Sequence, residues 1–152
     1  MRRTATILAV VALMVTFSSG VALATYEDSI TGTEHTDILS GTGQAEQILG
    51  LGGGDQLNGG GGADLVNGGK GQDELGDGSG TDAVYGGGGA DNLIGQSDTS
   101  VDHFYGGNGN DLFQPRDVPA IKDSVNCGPG TDTVYADEAD EIASDCERVH
   151  VR

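Results

Sequence analysis

Seven acidic residues stand nine positions apart in unbroken succession: Asp37, Glu46, Asp55, Asp64, Asp73, Asp82 and Asp91. Carboxylates are hard oxygen donors. Set side by side they repel, and a divalent cation between neighbours reverses the sign of that interaction. Ca²⁺ suits such a file because it takes about six to eight oxygens in a flexible geometry, backbone carbonyls included, whereas Mg²⁺ prefers tight octahedral sites and keeps its waters. Zn²⁺ would want His or Cys, and residues 50–95 contain neither.

Such carboxylates meet only if the chain keeps returning to the same place, and two further series show how it can. An apolar residue follows each acid by two positions, at Leu39, Ile48, Leu57, Val66, Leu75, Val84 and Leu93. Five positions before each acid stand Gly32, Gly41, Gly50, Gly59, Gly68, Asp77 and Gly86. Glycine admits turn angles that other residues resist. In the extended stretch that follows, as in Asp64-Leu65-Val66-Asn67, side chains alternate, so the apolar residue keeps to one face. Such a short strand is not stable alone. Stacking successive coils at about 4.8 Å pairs the strands and joins the apolar positions into a row.

The spacing therefore predicts an all-β protein, a parallel β-roll with two nonapeptides to a coil. Asp37, Asp55, Asp73, Asp91 and Asp111 then line one edge, and Glu46, Asp64, Asp82 and Asp102 the other. The register slips at Gly95–Tyr105, a unit with two extra residues whose acid is Asp102 and whose apolar residue is Phe104. Residues 106–113 are regular again; a looser stretch with Pro115 and Pro119 leads to units built on Asp123 with Val125 and on Asp132 with Val134. No proline precedes position 115, which suits a ladder whose central N–H groups must pair. With about one core residue in nine, the interior is thin. Cations between the acids are expected to supply the stability that this interior lacks.

The chain has 24 acidic and 7 basic residues, net −17. Met1-Arg2-Arg3, the apolar run Ile7–Phe17 and Ala22-Leu23-Ala24 read as a secretory signal peptide cleaved after Ala24, its apolar centre too short to span a bilayer. Cleavage removes Arg2 and Arg3 and leaves 24 acidic against 5 basic residues, net −19. Such a charge argues against nucleic acid or membrane insertion. Export implies an oxidising compartment, where Cys127 and Cys146 are expected to form a disulfide worth roughly 3 kcal/mol in the chain-entropy model.

Catalysis finds no foothold in the sequence. There is no His-Glu-x-x-His, His35, His103 and His150 are solitary, and no nucleophile–base pair can be identified. The stretch Asp77–Asp82 faintly suggests an EF-hand loop, but its sixth residue is aspartate rather than glycine. The chain reads as non-enzymatic.

The units Gly50–Asn58, Gly59–Asn67 and Gly86–Ile94 closely resemble the RTX, or haemolysin-type, calcium-binding nonapeptide. The resemblance covers about residues 32–135 and implies a right-handed roll with Ca²⁺ held between same-edge turns. In that family one turn gives its second and fourth carbonyls and its acid, and the next gives its first and third carbonyls and its acid. Carried over, one site uses Leu51, Gly53, Asp55, Gly68, Lys70 and Asp73; another uses Gly60, Gly62, Asp64, Asp77, Ser79 and Asp82. A third uses Gly69, Gly71, Asp73, Gly86, Gly88 and Asp91, and Gly87, Gly89, Gly106, Asn108 and Asp111 continue that edge. Asp37, Glu46 and Asp102 are weaker candidates, since Glu46 is longer, Thr33-Glu34-His35 makes a poor turn and the Asp102 unit carries the insertion. About five to seven ions are expected. The segment with Cys127-Gly128-Pro129-Gly130-Thr131-Asp132 and Cys146-Glu147-Arg148-Val149 resembles a C-terminal segment of secreted relatives and implies a disulfide-bonded cap. The resulting division is a signal peptide at 1–24, a lead-in at 25–31, the roll at 32–135 and the cap at 136–152. A Ca²⁺-dependent extracellular adhesin or surface-interaction scaffold is the competing reading.

Overall fold

The structure, a computed structural model, describes residues 28–116 and 121–152. The expected leader and its cleavage point lie outside the described residues, as do 25–27 and 117–120.

The chain alternates between two parallel sheets. One contains β1 (Asp28–Thr31), β3 (Glu46–Gly52), β5 (Leu65–Lys70), β7 (Ala83–Gly88), β9 (His103–Asn108), β11 (Ser124–Asn126) and β13 (Glu141–Ile142), stacked in that order. The other contains β2 (Ile38–Ser40), β4 (Gln56–Asn58), β6 (Glu74–Gly76), β8 (Asn92–Ile94), β10 (Leu112–Gln114), β12 (Thr133–Ala136) and β14 (Arg148–Val151). Each passage through both sheets is one coil of a β-solenoid.

The register turns the sequence series into columns. Ile30, Ile48, Val66, Val84, Phe104, Val125 and Ile142 align across the odd strands. Leu39, Leu57, Leu75, Leu93, Phe113, Val134 and Val149 align across the even strands. From Ile48 to Val134 these side chains are 0–3% exposed and form the core between the sheets. One residue in nine suffices for a continuous row because every coil repeats the same inward position.

The insertion at 95–102 leaves the pairing intact. Val84 lies opposite Phe104 and Tyr85 opposite Tyr105, so the extra length is taken up in the turn. The odd strands β3, β5, β7 and β9 are longer than the extended stretch the sequence suggests. They run on into the following turn, where Leu51, Gly69, Gly87 and Gly107 also pair. At the C-terminal end β13 and β14 each add a strand to a sheet. A Cys127–Cys146 disulfide, with Cα atoms 5.2 Å apart, ties this cap to the roll.

Candidate metal centre

The turns at the two edges bring the acids into two files. On one edge the N–H of each acid donates to Oδ1 of the acid one coil later. Asp37 donates to Asp55, Asp55 to Asp73, Asp73 to Asp91, Asp91 to Asp111 and Asp111 to Asp132, at 2.7–2.9 Å. On the other, Glu46 donates to Asp64, Asp64 to Asp82, Asp82 to Asp102 and Asp102 to Asp123, at 2.7–2.8 Å, and Asp123 to Asp140 at 3.2 Å.

These bonds use one oxygen of each carboxylate. The other has no partner at Asp55, Asp64, Asp73, Asp82, Asp91, Asp111 and Asp132, and neither has Oδ2 of Asp77, which stands outside the files; all of them are buried. An anionic oxygen withdrawn from water and left unpaired carries a large desolvation penalty.

The carbonyls around these oxygens test whether a cation fits. A Cβ placed on Gly86 would stand 2.6 Å from both Asp91 Oδ2 and the Gly106 carbonyl oxygen. A Cβ on Gly106 would stand 2.5 Å from Asp111 Oδ2 and 2.6 Å from the Cys127 carbonyl oxygen. The first carbonyl of a turn thus converges with the unpaired acid oxygen of the turn before it. Gly68 joins Asp55 and Gly86 joins Asp73 in this way, and the Asp77 carbonyl joins Asp64.

The remaining expected donors face the same gaps. Lys70, Ser79, Gly88 and Asn108, third in their turns, point back to accept from Gly53, Gly62, Gly71 and Gly89 N–H at 2.8–2.9 Å. Each carbonyl keeps a second lone pair for another donor or a cation. The second-position carbonyls of Leu51, Gly60, Gly69 and Gly87 point forward to the next turn, as do the fourth-position carbonyls of Gly53, Gly62, Gly71 and Gly89. This chemistry is all hard oxygen and suits Ca²⁺. Among the described residues no three His, Cys, Asp or Glu side chains gather into a ready cage, so backbone oxygen must complete any site.

The first acids of each file differ. Asp37 Oδ2 accepts from the Thr33 N–H at 2.6 Å and from its hydroxyl at 2.8 Å. Glu46 accepts from the Thr42 N–H at 2.9 Å and from the Thr42 hydroxyl. Threonine thus serves these oxygens that elsewhere have no partner. The files also run further than the ligand set read from the sequence. Asp123 and Asp132 belong to them, and their signal was visible in Val125 and Val134 two residues on. Asp140 and Glu147, which accepts from the Asp132 N–H at 2.8 Å, end them; Ile142 and Val149 stand two residues on, but the nine-residue interval and the glycine turn are missing.

Burial pushes the carboxyls upward, opposed by the N–H bond each accepts and reinforced by like-charged neighbours in the file. Asp64 rises to about 6, and Asp82 and Asp91 to about 7. Asp73, Asp111 and Asp132 shift the same way, with burial the leading cause. Asp77 rises to about 8, through burial first and then the charge of Asp102.

A parallel roll wound from nonapeptides, with buried acids and gap-facing carbonyls along both edges, defines a calcium-binding repeat protein. The family described as RTX calcium-binding nonapeptide repeat (4 copies) matches residues 40–75 and 77–113. Over these residues the chain carries RTX, or haemolysin-type, calcium-binding repeats. No curated protein and no solved structure matches it.

Proposed function

We propose that this is a secreted, non-enzymatic protein whose activity is calcium binding itself, and that its roll folds when Ca²⁺ enters the gaps between same-edge turns. The observation that carries this reading is the set of buried, unpartnered Oδ2 atoms at Asp55, Asp64, Asp73, Asp91 and Asp111, each set beside a backbone carbonyl, with Asp82 Oδ2 likewise buried and unpartnered. A bound divalent ion gives each such oxygen the counter-charge that its surroundings withhold. Leu51, Gly53, Asp55, Gly68, Lys70 and Asp73 form one ligand set. Gly60, Gly62, Asp64, Asp77, Ser79 and Asp82 form another, and Gly69, Gly71, Asp73, Gly86, Gly88 and Asp91 a third.

The disulfide supports an oxidising, extracellular location. Among the described residues no helix is long and apolar enough to cross a membrane. The adhesin reading ranks second because the outward columns are chemically mixed. Leu49, Asn67, Tyr85, Tyr105 and Asn126 form one of them, with Tyr85 stacked on Tyr105 at 4.7 Å between centroids.

Far-UV circular dichroism of the full chain in metal-free buffer, followed by a calorimetric Ca²⁺ titration, tests the reading. The expected result is a largely disordered chain that gains β structure with Ca²⁺ and takes up about five to seven ions. A spectrum unchanged between metal-free and Ca²⁺-loaded protein rejects it.

A further inference from the structure

Asp77 breaks the glycine series at a place where the structure makes the break consequential. The register stacks Gly59, Asp77 and Gly95 in one column, each just beyond the paired residues Asn58, Gly76 and Ile94. At Gly59 an added Cβ would point into the cradle, 2.8 Å from Asp64 Oδ2 and against the carbonyl oxygen of Asp77. Asp77 carries a real side chain in that column, and the side chain is fully buried.

Its carboxylate is only half satisfied. Oδ1 accepts from the N–H of Gly78 at 2.5 Å and of Gln96 at 2.8 Å, while Oδ2 has no partner. Asp82 Oδ2, of the same turn, has none either. The charges that act on Asp77 are those of Asp102 and Asp82, both negative. Across the gap, Asp98 in the inserted residues accepts from the Gly80 N–H at 2.8 Å and also acts electrostatically on Asp82. An ordinary gap in this roll has one acid from each flanking turn; this one adds Asp77 and Asp98.

We propose that the gap between turns 77–82 and 95–102 is a cation site of its own kind, in which the Asp77 side-chain carboxylate joins Asp82 as a ligand and Asp98 and Asp102 add charge. The site rests on the calcium-binding reading of the repeats and departs from it in composition, because a side chain enters where the repeat offers glycine. Two buried, unpartnered carboxylate oxygens from one turn require a counter-charge. With more anionic charge than its neighbours, the site prefers a trivalent ion of calcium's size and coordination habit. Among the described residues it is the tightest lanthanide position.

The experiment uses the full chain and a La³⁺ titration in the presence of saturating Ca²⁺, comparing wild type with Asp77→Asn, Asp77→Gly and, as a control on a regular site, Asp73→Asn. The expected result is a single tight La³⁺ step that weakens roughly tenfold or more in Asp77→Asn and Asp77→Gly, both of which keep the backbone carbonyl of position 77 and lose only the side-chain carboxylate. Asp73→Asn should leave that step intact and weaken Ca²⁺ uptake instead. A tight step indifferent to both Asp77 changes overturns the proposal. So does an extra ion bound by Asp77→Gly, which would make Asp77 a plug and not a ligand. Failure of Asp73→Asn to weaken Ca²⁺ uptake, with the Asp77 effects intact, would instead strike at the general reading of the repeats.

Discussion

The backbone N–H of Asp55 donates to Oδ1 of Asp73 at 2.8 Å across one coil, and Oδ2 of Asp73 has no partner. One carboxylate therefore does two different things. It registers the coil before it through a neutral donor, and it holds an anionic oxygen beside the Gly86 carbonyl. Substitution separates the two. Asp73→Asn keeps an acceptor for Asp55 and removes the charge, so the metal-free chain should gain structure while Ca²⁺ affinity falls. Asp73→Ala removes both and leaves a buried N–H unsatisfied, at a cost of about 1–3 kcal/mol. Circular dichroism without Ca²⁺ and denaturation in saturating Ca²⁺ distinguish these outcomes. Equal unfolding midpoints of the two variants in saturating Ca²⁺ would show that the cross-coil bond contributes nothing.

The same burial makes metal-free stability depend on pH in an unusual direction. Folding raises the carboxyl of Asp64 from 3.8 to about 6, those of Asp82 and Asp91 to about 7, and that of Asp77 to about 8. The folded chain therefore binds more protons than the unfolded chain between about pH 4 and pH 8, and unfolding free energy falls as pH rises through that window. Below it the penalty is absent; above it the penalty is complete. Circular dichroism in metal-free buffer should show more β structure at pH 4.5 than at pH 8. With Ca²⁺ present the trend should invert, because the ion must displace those protons and binds better as pH rises. Metal-free β structure that grows with pH refutes the assignment of buried, unpaired carboxyls.

Much of this arrangement was legible in the sequence because a solenoid maps linear period onto spatial position. The columns Ile48, Val66, Val84 and Leu57, Leu75, Leu93 are the apolar series, unaltered, and the two acid files follow the nine-residue interval. Legibility fails where an interval changes. From Asp123 to Asp140 the step is 17 residues and from Asp132 to Glu147 it is 15, so the interval no longer marks the files' ends, although Ile142 and Val149 keep the apolar place two residues on. At 95–102 the opposite happened. A visible irregularity had little structural effect on the ladder, since extra residues in a turn bulge outward without altering which strand residues pair. In the sequence Asp77 stands in the glycine series and enters a ligand set only through the resemblance. Its side-chain direction depends on the column in which it stacks, and that is a three-dimensional fact.

Leu51 sits where the later turns of its edge place glycine, at φ +77°. Gly69, Gly87 and Gly107 stack beyond it at φ +96° to +106°, so the ladder imposes a left-handed conformation on a residue that disfavours it by roughly 1–2 kcal/mol. Leu51 is 42% exposed, and its side chain returns little packing. Leu51→Gly should therefore stabilise the Ca²⁺-loaded roll by about 0.5–1 kcal/mol, the relief of strain less the entropy of glycine. Gly71→Ala should do the reverse and more. Gly71 has φ +132°, and an added Cβ would run into the Gly53 carbonyl oxygen, itself an expected ligand. A loss of about 2 kcal/mol or more, together with weaker Ca²⁺ uptake, is expected. Urea unfolding of both variants at fixed Ca²⁺ measures the pair, and a neutral Gly71→Ala would mean that these turns do not stack as closely as the register requires.

The disulfide should matter most where the periodic forces run out. Cys127 is fully buried in the core, whereas β13 and β14 follow a stretch without the glycine series and form the outermost strands of their sheets. A terminal coil has a neighbour on one side only, so it loses half of its ladder and half of its inter-turn contacts. The 19-residue Cys127–Cys146 span compensates by restricting the unfolded segment, worth about 3 kcal/mol in the chain-entropy model. Cys127→Ser with Cys146→Ser, studied in saturating Ca²⁺, should accelerate amide hydrogen exchange in β12–β14 while β3–β9 keep their protection. The gradient is the point of the measurement. If Ca²⁺ welds all the coils into one cooperative unit, exchange will rise evenly from end to end; if each gap stabilises only the turns that flank it, loss of the bridge will peel the roll from its C-terminal edge.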